Sequence, residues 1–364
     1  MNSPAGLSSR PPQRILIIRP SALGDVCRTV PVLASLRRAF PWPAASIDWL
    51  VQDTFAEAVS AHPDLTGVVA FPRSALADWR RPGTLRAVAA YLRSLGRAGY
   101  DLVLDCQGLL RSGLFAAATG APRRIGLADA AELGWAGVNE HVHGQRGRHA
   151  VDRMLALAEA ATGSPALRDM RLYTTAENRA HAAERLGLSP GRYVLIAPTS
   201  RWPGKLWPQE RYVSLCGRLL AEGGAGVERI VFVGSGTEAR QCEGLARLAA
   251  SDGRVVNLLG RTTVGQLMAV VEGARLVIGS DSAALHMAVG FDRALIGLYG
   301  PTRVELVGPY GRERDVIQHA LPGERLDHKD QAAGLALMER IGVEEVLERS
   351  VNILAGKRAL AVAG

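Results

Sequence analysis

The sequence predicts an α/β protein built from two successive domains, each a parallel β-sheet covered by helices. Short apolar runs without polar alternation, such as residues 14–19 and 193–197, are typical of strands buried on both faces. Helical stretches alternate with these runs, and a strand–helix–strand rhythm produces parallel sheets. The rhythm breaks over residues 163–172 and 187–191, which are rich in Gly, Ser and Pro, and then restarts.

Each half of the chain contains five candidate strands. They lie at residues 14–19, 47–51, 68–70, 102–105 and 124–127 in the first half, and at 193–197, 229–234, 255–258, 276–279 and 294–299 in the second. We therefore predict a disordered tail (1–13), a Rossmann-like domain (14–185), a second Rossmann-like domain (186–342), and a closing amphipathic helix with its tail (343–364). Ligands of open parallel sheets bind beyond the carboxyl ends of the strands, so two such sheets facing each other would share one cleft.

Composition narrows the class of partner. The 364 residues carry a formal net charge of +8, which favours phosphates, nucleic acid or an anionic membrane face. Nucleic acid is not expected as a partner, because no recognition motif is present. The four cysteines are far apart without a CxxC pair, which argues against a disulfide framework or a zinc site and suits a reducing cytoplasm. No run approaches the roughly 18 apolar residues of a membrane span.

The first polar segment, residues 19–25, directly follows the first strand. Gly24 permits a tight turn or the close approach of a ligand. Asp25 stands where the next helix begins, and two interpretations are open. It could cap that helix, since a carboxylate accepts backbone N–H bonds there, or it could be a general base at the mouth of the cleft.

The second polar segment, residues 199–208, follows the first strand of the second half. Thr199, Ser200 and Arg201 are followed by Lys205 just before a helix that starts near Pro208. Hydroxyls, backbone N–H groups and a cation together suit a diphosphate. The alternative is a polar loop anchored by a packed tryptophan.

The third polar segment, residues 279–286, ends a buried strand and opens a helix. Asp281 and Ser282 are good helix caps, and the small Ala283 lets a ligand approach the helix N-terminus, where the backbone attracts phosphate. His286, four residues after Ser282, lies near the same helix face, although a hydrogen-bonded core histidine is a fair alternative. Residues 298–302 should border the same pocket.

Two weaker patterns have plain alternatives. The histidines at 141, 143 and 149 are metal-ligand types, but without supporting spacing they are expected to be solvated, and no metal site is predicted. Residues 84–97 form an amphipathic helix with three arginines, which could rest on an anionic membrane surface. Such a pattern is more often a solvated helix face over a core.

Taken together, these segments resemble glycosyltransferase family 9, the ADP-heptose lipopolysaccharide heptosyltransferases, and most closely those that add the first heptose to inner-core Kdo. The likeness runs over residues 14–350 in the family's order. In the first half, RPSALGDV at 19–26 is similar to the family's RxSSLGD, and DCQGLLRS at 105–112 is similar to DxQGLLKS. In the second half, TSR at 199–201 with Lys205 and WP at 207–208 is similar to TTR…K.WP, and DSA at 281–283 with His286 is similar to DTGLxH. YGPT at 299–302 is the same as the family's YGPT. At Ser200 and Ser282, serine replaces a threonine of the family and keeps the hydroxyl.

The resemblance implies the GT-B architecture, with two Rossmann-like domains facing across a cleft, and an inverting transfer of heptose from ADP-heptose to the lipopolysaccharide inner core (Kdo or heptose). It implies Asp25 as the catalytic base. The implied donor-binding residues are Thr199, Ser200, Lys205, Glu238, Asp281, Ser282, Ala283 and His286. The predicted acceptor-binding residues are Ser21, Gly24, Gln107, Arg111 and Arg124.

The same resemblance implies no cofactor and no metal, since Lys205 and a helix dipole can neutralise the leaving group. It also implies a cytoplasmic enzyme that is peripheral on the inner face of the inner membrane. Three alternatives stay open from the sequence: a GT-B transferase with another donor or acceptor, a nucleotide-sugar epimerase on the same fold, and a non-catalytic nucleotide-sugar-binding module.

Overall fold

The computed structural model describes residues 11–77, 83–144, 147–221 and 226–356. The chain divides into two compact units, Met1–Asp169 and Met170–Gly364. The sequence places this boundary later, after residue 185. Residues 170–185 join the second unit because the N–H of Leu172 donates to the carbonyl of Gly290 at 3.0 Å. Most of the expected N-terminal tail (residues 1–10) and the end of the C-terminal one (357–364) lie outside the described residues.

The first unit is a six-stranded parallel sheet. Its strands are β1 (Arg14–Ile18), β2 (Ser46–Gln52), β3 (Gly67–Phe71), β4 (Leu102–Asp105), β5 (Arg123–Leu127) and β6 (Glu140–Val142), in the order β3-β2-β1-β4-β5-β6. Its helices are α1 (Leu23–Ala39), α2 (Glu57–Ser60), α3 (Arg73–Ala77), α4 (Thr84–Arg97), α5 (Leu110–Ala118) and α6 (Ala150–Thr162), with 3-10 turns at Asp53–Phe55 and Gly134–Gly137. The sequence missed β6, a three-residue edge strand too short to show a hydrophobic pattern.

The second unit repeats this architecture. Its strands are β7 (Tyr193–Ala197), β8 (Arg229–Phe232), β9 (Val255–Asn257), β10 (Leu276–Ser280), β11 (Ala294–Leu298) and β12 (Val316–Ile317), in the order β12-β11-β10-β7-β8-β9. Its helices are α7 (Ala176–Ala180, continued by a π-helical turn, His181–Arg185), α8 (Gln209–Ala221), α9 (Glu243–Ser251), α10 (Val264–Gly273), α11 (Ala283–Gly290), α12 (Val304–Val307), α13 (Gln331–Glu339) and α14 (Val343–Leu354). Its 3-10 turns are Pro203–Lys205, Gly236–Cys242 and Glu313–Asp315.

Both sheets have the strand order of a Rossmann fold. Counted from its own first strand, each sheet reads 3-2-1-4-5-6, and all of its neighbouring strands are parallel. Residues Ile15–Ile18 of β1 and Val194–Ile196 of β7 are fully buried, so both faces of these central strands are covered. The prediction of two Rossmann-like α/β domains is therefore confirmed.

The two amphipathic helices singled out from the sequence pack in the ordinary way. In α4, Tyr91 and Leu92 pack against the first core while Leu85, Arg93 and Arg97 are exposed, so the C-terminal part of the apolar face belongs to the fold. In α14, Val346 and Leu347 are buried in the second core. Within the described part of the chain, we find no helix with the length and apolarity needed to cross a bilayer.

The cysteines are buried, unbridged thiols. Burial raises the pKa of Cys242 to about 11 and that of Cys27, Cys106 and Cys216 to about 12. These values leave the sulfurs protonated and unreactive at neutral pH. Their role is therefore to pack the cores.

Candidate functional site

Each sheet has a switch point between its first and fourth strands, where the strand order reverses. At such a point the two loops diverge to opposite sides of the sheet and open a crevice for ligands. In the first unit the loops after β1 and β4 meet there. In the second unit the loops after β7 and β10 meet. Three of the four loops carry the polar segments that the sequence marks as functional.

Asp25 lies in the first unit at the third residue of α1, not at the N-cap. The N-cap is Ala22, whose N–H donates to the Asp25 carboxylate at 3.3 Å. The same carboxylate pairs with Arg19 at 3.0 Å and with Arg28, while about a quarter of the side chain (26%) is exposed. Asp25 thus accepts a helix-terminal donor and also reaches solvent at the start of α1, while its role as a general base stays a prediction.

The loop after β4 is held by Asp105. This residue is 2% exposed, and its carboxylate accepts the N–H groups of Gln107 (3.0 Å) and Gly108 (3.1 Å) and the hydroxyl of Ser112 (2.9 Å). Burial raises the pKa of Asp105, and these three donors oppose the shift. The loop then presents Gln107, whose side-chain carbonyl accepts the N–H of Ser21 at 3.2 Å and joins the two loops.

These loops border an open pocket of about 260 Å³ within the first unit. The charged groups in its wall are Arg19, Asp25, Arg28, Asp129 and Arg153, and Arg153 pairs with Asp129 at 2.7 Å. Three guanidinium groups against two carboxylates give the wall a net positive charge. Such a wall favours an anionic ligand with hydroxyl groups.

The predicted acceptor-binding residues separate into two groups. Gln107 lines the pocket, and Ser21 and Gly24 lie on the loop and helix start that lead to Asp25. Arg111 and Arg124 do not line it. Arg111 lies over the ring of Phe71 at 5.3 Å, and Arg124 donates to the backbone carbonyls of Ala121 (2.6 Å) and Gly137 (3.0 Å).

The arginines around Asp25 were not predicted as site residues. Arg19 and Arg28 flank Asp25 in sequence, but an arginine six residues before or three after a carboxylate is not by itself informative. Arg153 comes from α6, far along the chain. Its position after His149, the N-cap of α6, was visible in the sequence, whereas its pairing with Asp129 was not.

In the second unit, Asp281 is the centre of a polar cluster at the switch point. Its carboxylate pairs with Lys205 Nζ at 2.6 Å and accepts the Thr302 hydroxyl at 3.3 Å. The Tyr299 hydroxyl lies at 3.5 Å and His286 Nε2 at 3.9 Å from the other carboxylate oxygen. Only 12% of Lys205 and 15% of Asp281 is exposed. A buried lysine and aspartate need each other, because an unpaired buried charge is costly.

Hydroxyl groups surround this ion pair. Thr199 and Ser200 are buried directly after β7 (5% and 6% exposed). The side chain of Gln241 holds Ser200 through the backbone, accepting its N–H at 3.4 Å and donating to its carbonyl at 3.1 Å. The Ser282 hydroxyl, at the N-cap of α11, is buried and has no hydrogen-bond partner among the described residues. A buried hydroxyl of this kind at a helix N-terminus suits an anionic ligand.

The remaining predicted donor residues occupy the same end of the sheet. Ala283 is the first residue of α11 and His286 lies one turn further on, 4% exposed. Glu238 is half-buried in the 3-10 turn Gly236–Cys242, where its N–H donates to the carbonyl of Ser235 at 3.1 Å. Their roles in donor binding stay predictions.

The sequence missed His328, which lies near this cluster. Its ring packs edge-on against Trp202, with 4.9 Å between centroids. Burial and the nearby charge of Lys205 lower the pKa of His328. His328 lies about thirty residues after the end of β11, so no local sequence pattern connects it with Lys205.

Close contacts between glycines position Lys205. A Cβ at Gly334, inside α13, would lie 2.6 Å from the carbonyl oxygen of Gly204, next to Lys205. A Cβ at Gly300 would lie 2.8 Å from the sulfur of Met338 on the same helix. Helix α13 therefore packs directly against both the lysine turn and the loop that carries Tyr299 and Thr302.

Two Rossmann-type sheets, each with a polar crevice at its switch point, are the architecture of the GT-B fold, which glycosyltransferases use. The family model for "Glycosyltransferase family 9 (heptosyltransferase)" matches residues 88–334. The chain belongs to this family.

Curated and solved relatives agree with that assignment. The chain is 28% identical over 329 residues to lipopolysaccharide heptosyltransferase 1 of Escherichia coli (88% of this chain, 98% of the relative). It is 29% identical over 315 residues to that of Pseudomonas aeruginosa (83% and 82%). The structure of E. coli heptosyltransferase WaaC with ADP superposes with a TM-score of 0.75 at 25% identity, covering 94% of this chain and 100% of that one.

The packing of α13 gives a stability prediction. Replacing Gly334 with alanine should lower the free energy of unfolding by about 1–3 kcal/mol, since the new methyl group meets backbone atoms that cannot rotate away. The control is Gly217→Ala in α8, where an added Cβ meets nothing within 4 Å. That change should be neutral or stabilise by up to about 1 kcal/mol. Denaturant unfolding measures both, and equal stabilities would contradict the close contact.

Proposed function

We propose that this protein transfers heptose from ADP-heptose to the inner core of lipopolysaccharide, with inversion at the anomeric carbon. The observation that carries the proposal is the chemistry of the two switch points. One holds Asp25 in a cationic pocket, and the other holds Lys205 among buried hydroxyls. Membership of family 9 supports the heptosyl group, and the names of the relatives support the donor and the acceptor.

On the donor side, the second unit supplies positive charge and hydrogen-bond donors for a diphosphate. The proposed contacts are the Lys205 ammonium, the hydroxyls of Thr199 and Ser200, and the backbone N–H groups at the start of α11. These groups stabilise the ADP leaving group as negative charge develops on its phosphate oxygen. We assign Asp281, which holds Lys205, and His286 to the donor sugar and its phosphates, and Glu238 to the ribose hydroxyls.

On the acceptor side, the first unit supplies a base and anion-binding groups. The acceptor hydroxyl oxygen attacks the anomeric carbon and gives its proton to the Asp25 carboxylate. The bond between that carbon and the diphosphate oxygen breaks, and its electron pair leaves with ADP. One displacement of this kind inverts the centre. Arg19 and Arg28 hold Asp25 in place. Arg153, which Asp129 holds in the pocket wall, is proposed to contact the carboxylates and phosphates of a lipopolysaccharide core.

We also propose that the transfer needs no metal ion. Lys205 and the N-terminus of α11 provide fixed positive charge where a metal would otherwise act. The enzyme is proposed to work in the cytoplasm, peripheral on the inner face of the inner membrane. A net charge of +8 favours such an anionic surface.

Asp25→Asn should lower kcat by about 10²–10⁴-fold, since the amide cannot take the proton. The amide oxygen can still accept the N–H of Ala22, but the lost charge weakens the pairs with Arg19 and Arg28, so the melting temperature should fall while ADP affinity, which the second unit provides, should change little. Asp53→Asn, on an exposed turn of the same unit, is the control and should keep full turnover. Near-normal turnover of Asp25→Asn would leave Asp25 as a helix-terminal residue only.

Lys205→Ala should weaken ADP binding about tenfold or more, because a charged hydrogen bond contributes about 1.5–3 kcal/mol. The measurement is thermal stabilisation by ADP, ADP-heptose, UDP, GDP and CMP. ADP at about 100 times its Kd should add about 2.7 kcal/mol to the wild type. The exposed Lys329→Ala is the matched control. Equal ADP stabilisation of both variants would remove Lys205 from the donor site, and selective stabilisation by UDP would point to another donor.

Chelation tests the proposal about the metal. Turnover measured after dialysis against EDTA should equal that of the untreated enzyme, with or without added Mg²⁺. A loss of turnover that Mg²⁺ restores would contradict it. Asp25→Asn treated in the same way gives the background rate.

A further inference from the structure

Large apolar side chains are exposed together beside the pocket of the first unit. Eight large apolar residues are exposed in the described part of the chain, and half of them belong to α5 and the turn after β5. They are Leu110 (57% exposed), Leu114 (48%), Leu133 (62%) and Trp135 (44%). Scattered exposed leucines are normal, whereas large apolar side chains exposed side by side are typical of an interaction surface. We refer to these four residues as the apolar patch.

The members of the apolar patch are neighbours because two segments pack backbone to backbone. Leu110 and Leu114 are four residues apart on one face of α5. The turn Gly134–Gly137 runs alongside that helix: a Cβ at Gly134 would lie 2.8 Å from the backbone of Leu109, and one at Gly137 would lie 1.9 Å from the carbonyl oxygen of Gly113. Leu133 and Trp135 are therefore fixed next to the start of α5.

The backbone holds Leu133 outward at a cost. Leu133 has φ +60° and the preceding Glu132 has φ +50°, a left-handed conformation that non-glycine residues rarely adopt. A strained, exposed leucine contributes little to the core. Strain of this kind concentrates at functional segments, where the surrounding structure maintains it.

Positive charge borders the apolar patch. Arg111 lies between its two α5 leucines in sequence and is exposed, with its guanidinium over the Phe71 ring. The charged neighbours of Arg111 are Arg73 and Glu132, so the border carries a net positive charge. Exposed apolar side chains including a tryptophan, next to arginines, match the boundary between lipid headgroups and acyl chains.

The apolar patch is continuous with the proposed acceptor pocket. Leu109 and Ala131 line that pocket, and they adjoin Leu110 and the segment that carries Leu133. A glycan anchored in a bilayer could reach Arg153 and Asp25 while its lipid stayed in the membrane below the apolar patch.

We propose that the apolar patch, with Arg111 and Arg73, is the surface by which this protein docks on an anionic lipid bilayer. The inference rests on the proposed function, because a lipid-linked acceptor is what the enzyme would have to reach at the bilayer. Docking by this surface would bring the pocket of the first unit to that acceptor. The occupant is the bilayer itself, not one acyl chain and not a second copy of this chain. A two-fold contact between copies would bring like-charged arginines together in a protein of net charge +8.

Vesicle sedimentation of the full chain tests the docking surface without any substrate. The wild type should bind phosphatidylglycerol-containing vesicles more tightly than phosphatidylcholine vesicles, and more weakly as salt rises. The double variant Leu110→Ser, Leu114→Ser and the single variant Leu133→Ser should each bind the vesicles at least about tenfold more weakly. The reason is that each removes apolar area that docking on the bilayer would bury. Leu321→Ser, at a leucine of the second unit that is slightly more exposed (66%), is the matched control and should bind like the wild type.

A second readout separates this inference from the proposed function. With a deacylated, water-soluble acceptor glycan, the patch variants should keep wild-type kcat and KM, while with acceptor embedded in vesicles their rate should fall about tenfold. Unchanged vesicle binding in both patch variants would overturn the docking surface, whatever the activity. A wild type that is dimeric in solution, with patch variants that are monomeric, would also overturn it, since the occupant of the apolar patch would then be a second copy of this chain. The protein could also bind vesicles through the apolar patch and yet be inactive on every heptosyl acceptor. That result would support the docking surface and contradict the proposed function.

Discussion

The pairing of the first and fourth strands in each sheet is the constraint on which the rest of the structure depends. Ile18 pairs in register with Asp105 in the first sheet, and Ala197 pairs with Gly279 in the second. Apart from Arg14 at the start of β1, the residues of these strands are buried, so their backbone groups must bond to one another, and the ligand-facing polar loops begin past their carboxyl ends. The parallel register then puts two polar loops side by side, which is how residues about eighty positions apart come to share one site.

The two sites that result differ in how they handle charge. In the first unit, Asp25 is held between two guanidinium groups at a pocket wall that solvent reaches. In the second unit, Lys205 and Asp281 are mostly buried and compensate each other, with Thr302 and Tyr299 completing the shell of the carboxylate. A buried pair of this kind is rigid, because moving either partner would leave an uncompensated charge. A rigid cation suits a leaving diphosphate, and a more open carboxylate suits a base that an acceptor hydroxyl must reach from solvent.

Glycine contacts give both sites their geometry. Gly334 and Gly204 bring α13 against the turn that carries Lys205, and Gly113 and Gly137 bring the turn after β5 against α5. The second contact does more than build the domain, since it places Leu133 and Trp135 beside the pocket of the first unit. The apolar surface and the polar pocket therefore share one scaffold, and a change that loosens the scaffold should affect both.

The sequence by itself determined the fold class, the central strands and helices, and three of the four loops at the switch points. It did so because buried parallel strands are short uninterrupted apolar runs, and polar segments that follow them stand out. It predicted α4 and α14 at the bounds that the structure shows. It missed the short edge strands β6 and β12, the short helices α2, α3 and α12, and the nine-residue helix α13. Family motifs, rather than physical patterns, supplied the donor and the reaction.

Tertiary structure alone decided which side chains meet. The pairing of Arg153 with Asp129, the approach of His328 to Trp202, and the exclusion of Arg111 and Arg124 from the pocket all depend on contacts between distant segments. It also showed that the arginine-bearing α4 packs Tyr91 and Leu92 against the core, while α5 exposes two leucines that no periodic pattern marked. Periodicity reports which residues can share a face, whereas the packing of the neighbouring elements determines whether that face is covered.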